Sequence, residues 1–139
     1  MNILITRGNI KNAKTYPEPL WNELSFELIY RQHEVKEVKG ILTEQEIIDL
    51  VNWSDIWIGT DSFLQHLVAY YKLKKGIVIW SKSDPDIFGY PDNINLLKDR
   101  KYLRVNQFRS WTDTWNDIEN NPDSFVSPSV VLKAIESML

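Results

Sequence analysis

Short, wholly apolar runs alternate along the chain with longer segments in which apolar residues recur at helical spacing. Residues 3–5, 56–58 and 77–80 are such runs. Each is rich in apolar β-formers and is bounded by polar residues or glycine, which is typical of a buried strand. A charged segment around Val35 and Val38 predicts a further strand nearer an edge of the sheet.

Four segments carry the signals of helices. The first has apolar residues at helical spacing, and these are Leu20, Trp21, Leu24, Leu28 and Ile29. The second begins at Thr43, because Thr43 and Glu46 make the Thr-x-x-Glu capping box that satisfies two backbone amides at a helix start. A third helix is predicted over residues 64–71, and a closing helix is predicted from Pro128 to residue 139.

The alternation of strands and helices predicts an α/β fold, a single Rossmann-like three-layer sandwich with a mostly parallel sheet of about five or six strands. A fifth strand is predicted at Tyr102, Leu103 and Val105. Ligands of such folds bind outside the carboxyl ends of the strands, so the loops that follow the strands are expected to share one rim and to carry the chemistry. These loops are residues 7–17, 59–62 and 81–93.

Composition and charge narrow the function further. A chain of 139 residues has room for one domain, which we assign to residues 1–139. A formal charge of -3 gives no whole-surface attraction to nucleic acid, and the absence of cysteine excludes disulfides and thiolate zinc sites. The apolar runs are too short to cross a bilayer, so we expect a cytoplasmic protein with no membrane span. Two histidines and the lack of a cofactor motif imply neither a metal nor a cofactor.

The sharpest constellation is the corner after the third apolar strand, Gly59 to Ser62, followed by His66. A strand that turns directly into a helix presents free amides at the helix N-terminus, where the macrodipole favours an anion. The hydroxyls of Thr60 and Ser62 add donors, and His66 lies one helical turn beyond Ser62. The sequence therefore predicts a phosphate site. A simpler interpretation stays open, in which Thr60 or Asp61 caps the helix and His66 packs in the core.

Two other loops offer contacts for the same ligand. The first loop carries Arg7, Lys11 and Lys14 with no acid before Glu18, which fits an anion site and a solvated basic loop equally well. The loop after the fourth strand offers further polar groups, but Asp84 is followed by proline, and ordinary turn chemistry is the favoured interpretation there. The candidate contacts to a nucleotide or sugar are Arg7, Gly8, Lys82 and Asp84.

Six tryptophans raise the question of stacking on a carbohydrate or a base. Trp21, Trp57 and Trp80 lie inside predicted elements, where a large aromatic side chain is most often part of the core. Trp111 and Trp115 flank a polar stretch that fits neither a helix nor a strand clearly, and their exposure would favour an interaction surface.

Several segments, taken in order, are similar to glycosyltransferase family 9, the ADP-heptose:lipopolysaccharide heptosyltransferases. Residues 54–67 look like the family's A-D-x-x-I-G-x-D-S-G-x-x-H-L segment, with Phe63 in place of a glycine. Residues 14–19 resemble its K-x-W-P-x-E opening, with Tyr16 in place of the tryptophan and Pro19 in place of the glutamate. Residues 83–85 are similar to its T-D-P loop, and the closing helix fits its C-terminal end.

The resemblance implies the C-terminal, nucleotide-sugar-binding half of a GT-B glycosyltransferase. In that family the Asp-Ser turn and its helix hold the donor diphosphate, and a lysine of the first loop neutralises it. Together with the corner described above, this assigns the diphosphate of an ADP-sugar-like ligand to Lys14, Thr60, Asp61, Ser62 and His66.

The resemblance also implies an incomplete enzyme. The family's acceptor-binding domain, which carries its catalytic base, has no counterpart in this chain, so transfer is expected to require a separate acceptor-domain chain or a second copy in a homo-oligomer. No catalytic residue is assigned. Phe63 either obstructs the approach to a phosphate or forms a pocket wall. The alternative function is a non-catalytic protein-interaction module derived from a glycosyltransferase domain.

Overall fold

The computed structural model describes residues 1–8, 15–108 and 122–138. Strands and helices alternate along the described chain. Their order is β1 (Asn2–Ile5), α1 (Glu18–Tyr30), β2 (Glu34–Glu37), α2 (Glu44–Trp53), β3 (Ile56–Thr60), α3 (Phe63–Tyr70), β4 (Ile77–Trp80), α4 (Pro85–Phe88), β5 (Ile94–Leu97) and α5 (Pro128–Ser137). Within these described ranges, none of the helices is both long and apolar enough to span a membrane.

The five strands form one sheet in the order β2-β1-β3-β4-β5, and every neighbouring pair is parallel. Parallel neighbours need a crossover, which the helices provide, so the predicted Rossmann-like α/β architecture is confirmed. The chain first moves from β1 to β2 on one side and then passes to β3 on the other side of β1. The direction of winding therefore reverses between β1 and β3.

Successive side chains of a strand point to opposite faces of the sheet, so an entirely apolar strand presents apolar side chains on both faces. Helices cover both faces of this sheet. Ile3 and Ile5 pack with α1 and α5, whereas Leu4 packs with α2 and α3 on the other face. Trp21, on α1, is fully buried in the first of these layers. Trp57 and Trp80 are buried in the second, so the three tryptophans predicted for the core lie there.

Local signals fixed two helix starts as predicted. The Thr43 hydroxyl accepts the Glu46 amide at 3.1 Å, and the Glu46 carboxylate accepts the Thr43 amide at 3.1 Å, which closes the capping box of α2. Pro128 occupies the first turn of α5. Ile29 shares the helical spacing of the apolar residues of α1, but its side chain is exposed and not part of the buried face.

The predicted fifth strand at Tyr102, Leu103 and Val105 is wrong. Tyr102 ends a 3-10 turn, and Val105 is fully exposed. The fifth strand is instead β5. The side chain of Asn95 within it makes two hydrogen bonds: its Oδ1 accepts from Trp80 Nε1 at 2.9 Å, and its Nδ2 donates to the Tyr90 carbonyl at 3.0 Å. These tertiary hydrogen bonds compensate an asparagine that strand propensity disfavours.

Candidate functional site

A small crevice opens at the carboxyl end of the sheet, between β1 and β3. It encloses about 210 Å³ and is lined by Thr6, Gly8, Val38, Ile47, Ser62, Phe63 and Leu64. In open parallel sheets, ligands bind where the winding reverses, outside the carboxyl ends of the strands. The crevice lies at that point of this sheet, so the sheet topology and the cavity select the same place.

Gly8 brings the loop after β1 close to the end of β3. Its φ of +69° lies in the left-handed region, which glycine adopts without the strain that other residues incur. A Cβ at this position would lie 3.5 Å from Thr60 Oγ1 and 3.6 Å from Thr15 Oγ1. The missing side chain therefore leaves space beside two hydroxyls at the carboxyl end of the sheet.

The N-terminus of α3 is open to the crevice. Ser62 is its N-cap in an extended conformation, and the Ser62 side chain makes no capping hydrogen bond. In the described part of the chain, the amides of Phe63, Leu64 and Gln65 donate to no group. Four amides at a helix start lack partners inside the helix, and together with the macrodipole they attract an anion. This end of α3 can therefore receive a phosphate.

Gln65 adds a buried polar group at the same corner. Its side chain is fully buried, and its Nε2 donates to Asp61 Oδ1 at 3.0 Å. Its Oε1 is buried and has no partner among the residues described. A buried acceptor left unsatisfied costs about 1–3 kcal/mol. Gln65 does not line the crevice, however, so this acceptor is not exposed to a ligand held there.

A second, wider cleft adjoins the crevice along the outer face of α3. It encloses about 490 Å³ and is lined by Glu44, Phe63, His66, Leu67, Tyr70 and Tyr71. Phe63 is 61% exposed and borders both cavities, so its ring forms a wall between them and does not fill either one. A hydrogen bond to Glu44, followed by partial burial, raises the pKa of Tyr71.

His66 lies in this wider cleft and not in the crevice. Its Nδ1 lies 2.8 Å from the Tyr90 hydroxyl, and the two rings meet edge to face at 5.6 Å. The interpretation of His66 as a packed core histidine is wrong, because the side chain is exposed. His66 lines the wider cleft and Ser62 lines the crevice, and Phe63 borders both cavities.

Asp84 is committed to the local structure of the loop after β4. Its carboxylate accepts Arg100 Nη2 at 2.6 Å, and its Oδ1 accepts the Asp86 amide at 2.9 Å as the cap of α4. The hydrogen bond from Arg100 holds the pKa of Asp84 below its usual value. This geometry agrees with the turn-chemistry interpretation of this residue.

Of the predicted cations, Arg7 and Lys82 have neighbours other than the crevice, and Lys14 lies outside the described residues. Arg7 Nε donates to Glu37 Oε1 at 2.7 Å, and its Nη1 donates to Asn22 Oδ1 at 2.8 Å, so the guanidinium joins β1 to β2 and α1. Lys82 Nζ lies 6.0 Å from the centre of the Tyr102 ring. Lys14 lies outside the described residues, and its role stays a prediction.

Sequence reasoning missed a group of buried hydroxyls at the end of β4. Ser81 and Ser124 join their hydroxyls in a hydrogen bond. Ser83 Oγ is buried and finds no partner within the described ranges. Serines in a polar loop give no signal of burial in the sequence. Only the fold shows that these hydroxyls are buried at the carboxyl end of β4.

A larger cleft lies near the amino ends of β4 and β5. It encloses about 860 Å³ between the end of α3 and residues 90–93, and Lys72, Lys74 and Lys75 are among its lining residues. The Lys74 ammonium is already bonded to the Ser54 carbonyl. We favour the smaller crevice as the ligand site because it combines the switch point of the sheet with the open start of α3.

Two further findings limit the function. Among the described residues, no group of three histidine, aspartate or glutamate side chains is arranged to hold a metal ion. Comparisons with protein-family models, with curated proteins and with solved structures find no significant match. The resemblance of residues 54–67 to glycosyltransferase family 9 therefore stays a prediction.

Proposed function

We propose that this chain binds a nucleoside diphosphate, or a sugar linked to one, with the diphosphate at the N-terminus of α3. The observation that carries the proposal is the open start of α3 at the point where the winding of the sheet reverses. Gly8 supports it, because a residue without a side chain allows a phosphate to approach the backbone closely.

The parts of such a ligand match the chemistry of the two cavities. The amides of Phe63 and Leu64 and the Ser62 hydroxyl are donors for phosphate oxygens. The rings of Phe63, Tyr70 and Tyr71 line the wider cleft and offer aromatic faces on which a base or a sugar ring can stack.

The negative charge of a diphosphate favours a cation beside this corner. Asp61 stands directly before the helix, and its carboxylate raises the cost of bringing a diphosphate to this corner. An ammonium from the first loop would offset that repulsion, which is the role that the sequence predicts for Lys14. Replacing Lys14 by alanine is therefore expected to weaken diphosphate binding.

Any glycosyl transfer by this chain would need a second wall. In an inverting transfer, the acceptor oxygen loses its proton to a base and bonds to the anomeric carbon of the sugar from the face opposite the diphosphate, while the sugar–phosphate bond breaks and the diphosphate leaves. The α3 start stabilises the leaving diphosphate, whereas the base and the acceptor site come from another chain or a second copy. Binding without transfer is thus the activity expected of the isolated chain.

Calorimetry with ADP, UDP, GDP and their sugars tests the proposal directly. We expect at least one of these ligands to bind and to raise the melting temperature, and Ser62→Ala to weaken binding about tenfold, the loss of one charge-assisted hydrogen bond. Ser127→Ala is the matched control, because Ser127 is also a helix N-cap without a side-chain capping bond. If none of these nucleotides binds, or if Ser62→Ala and Ser127→Ala weaken binding equally, the proposal is overturned and an interaction module is favoured.

A further inference from the structure

The strand β2 forms one edge of the sheet, so half of its backbone amides and carbonyls point away from β1. The Glu34 amide donates to the Met1 carbonyl at 3.0 Å, and the Val38 amide also donates to the β1 side, at 2.9 Å. Backbone groups alternate in direction along a strand, so the amides and carbonyls of Val35 and Glu37 point outward. These outward groups are able to pair with another strand.

An apolar patch of α1 lies beside this edge. Phe26, Ile29 and Tyr30 are 66%, 61% and 77% exposed, and the Phe26 and Tyr30 rings stack at 6.4 Å. Ile29 and Val35 line one cleft of about 470 Å³, which places the patch next to the strand. A contiguous apolar surface beside an unpaired edge strand is typical of an interface.

We propose that a second copy of this chain pairs with β2 in antiparallel fashion, about a two-fold axis through Val35. In that register Val35 lies opposite Val35 of the second copy, and Glu34 of each copy lies opposite Lys36 of the other. The sequence Glu-Val-Lys is thus complementary to itself. The two sheets then form one sheet across the axis.

The directions of the backbone groups agree with this register. Two residues whose outward groups face each other exchange two hydrogen bonds in an antiparallel ladder, and Val35 with its copy meets that condition. Glu37 lies opposite His33 in the same register; the His33 amide already donates to Leu28, but its carbonyl points outward as an acceptor. Shifting the register by one residue would place inward-facing groups opposite outward-facing ones.

The two faces of the paired strands also match. Val35 packs with the α1 layer, so the α1 patches of both copies meet on that face. Glu34 and Lys36 point to the other face, where Lys36 Nζ lies 4.3 Å from the centre of the Trp53 ring. The rings of Phe26 and Tyr30 each carry about 150–250 Å² of surface, which gives this face an apolar centre for a small interface.

Charged side chains on an edge strand commonly prevent pairing. Such protection works through repulsion between like charges. In the self-paired register, Glu34 of each copy faces Lys36 of the other, so the facing charges attract. A partner strand without this charge pattern lacks the match. The pairing does not rest on the proposed nucleotide site, because each crevice lies at the carboxyl end of its own sheet, between β1 and β3.

Sedimentation equilibrium over low to high micromolar concentrations tests the pairing with charge-swap variants. We expect the wild-type chain to dimerise as concentration rises. Glu34→Lys and Lys36→Glu alone should each weaken the dimer about tenfold, since each replaces two attractive pairs with two repulsive ones. The double variant restores opposite charges and should return to within about threefold of wild type. Lys133→Glu, at an exposed position of α5, is the control for a change of net charge.

Each outcome decides the matter. Weakening by both single variants with recovery in the double variant supports the pairing, as does slower amide exchange of Val35 and Glu37 at high concentration. A monomer at every concentration, or a dimer that the single variants leave unchanged or that the double variant fails to restore, overturns it. Nucleotide binding by a monomeric chain would overturn the pairing alone, and a dimer that binds no nucleotide would overturn the proposed function alone.

Discussion

Two glycines with the same backbone conformation provide a matched test of the crevice. Gly8 has a φ of +69° and Gly40 a φ of +72°, so alanine at either position adopts an unfavourable left-handed conformation that costs about 1 kcal/mol. The surroundings differ. A Cβ at Gly8 would lie 3.5 Å from Thr60 Oγ1 and 3.6 Å from Thr15 Oγ1, whereas a Cβ at Gly40 would meet nothing within 4 Å. Neither methyl group clashes, so the loss of stability should be alike.

The expected result separates stability from binding. Both variants should melt about 3–5 °C below wild type, as a loss of about 1 kcal/mol implies for a domain of this size. Gly8→Ala should also weaken binding of the nucleoside diphosphate at least tenfold, because its methyl group occupies the space beside the two threonine hydroxyls, and Gly40→Ala should bind as wild type does. Melting by circular dichroism and calorimetric titration give the two quantities. Wild-type affinity in Gly8→Ala would refute the placement of the ligand in this crevice.

Two further predictions concern stability. Asp84→Asn keeps the cap of α4 but loses the ion pair to Arg100, and because Arg100 is 57% exposed the cost should be about 1 kcal/mol at neutral pH. The hydrogen bond from Arg100 lowers the pKa of Asp84 in the folded chain, so this stabilisation is present above the usual pKa of an aspartate and is lost as the pH falls through the folded pKa. Urea titrations at several pH values should show the variant and wild type converging in acid. Gly76→Ala would place a Cβ 2.7 Å from Cζ2 of Trp57 and closer still to two other ring atoms, so it should cost about 1–3 kcal/mol, and an unchanged melting temperature would contradict the packing at this position.

Sequence reasoning found four of the five strands, and three of these four are covered by helices on both faces, whereas β2 is a partly exposed edge strand. The apolar runs of β1, β3 and β4 are buried on both faces, which removes the alternation of polar and apolar residues and leaves an unmistakable signal. The strand β5 lies at the other edge of the sheet, is only partly buried, and carries Asn95 in its middle. Its order depends on the contacts of that asparagine with Trp80 and Tyr90, which no local pattern contains.

The rim that carries the candidate site was predictable, but the directions of its side chains were not. Parallel topology alone places the loops after β1, β3 and β4 at one edge. Whether a cation on that rim faces the crevice depends on its competing partners. Arg7 is drawn to Glu37 and Asn22, and His66 is held by Tyr90, and all three partners lie at least 15 positions away in the chain.

The two helices α2 and α3 begin with the same kind of sequence and use it differently. Thr43 with Glu46, and Ser62 with Gln65, both fit the pattern of a capping box, in which the two side chains satisfy the first amides of their own helix. In α2 the box closes. In α3 the side chain of Gln65 is buried and turns to Asp61, and Ser62 makes no capping bond, so the helix amides stay available. A cap that the sequence permits but the fold leaves open, at the point where the sheet reverses its winding, is the physical basis for expecting an anionic ligand there.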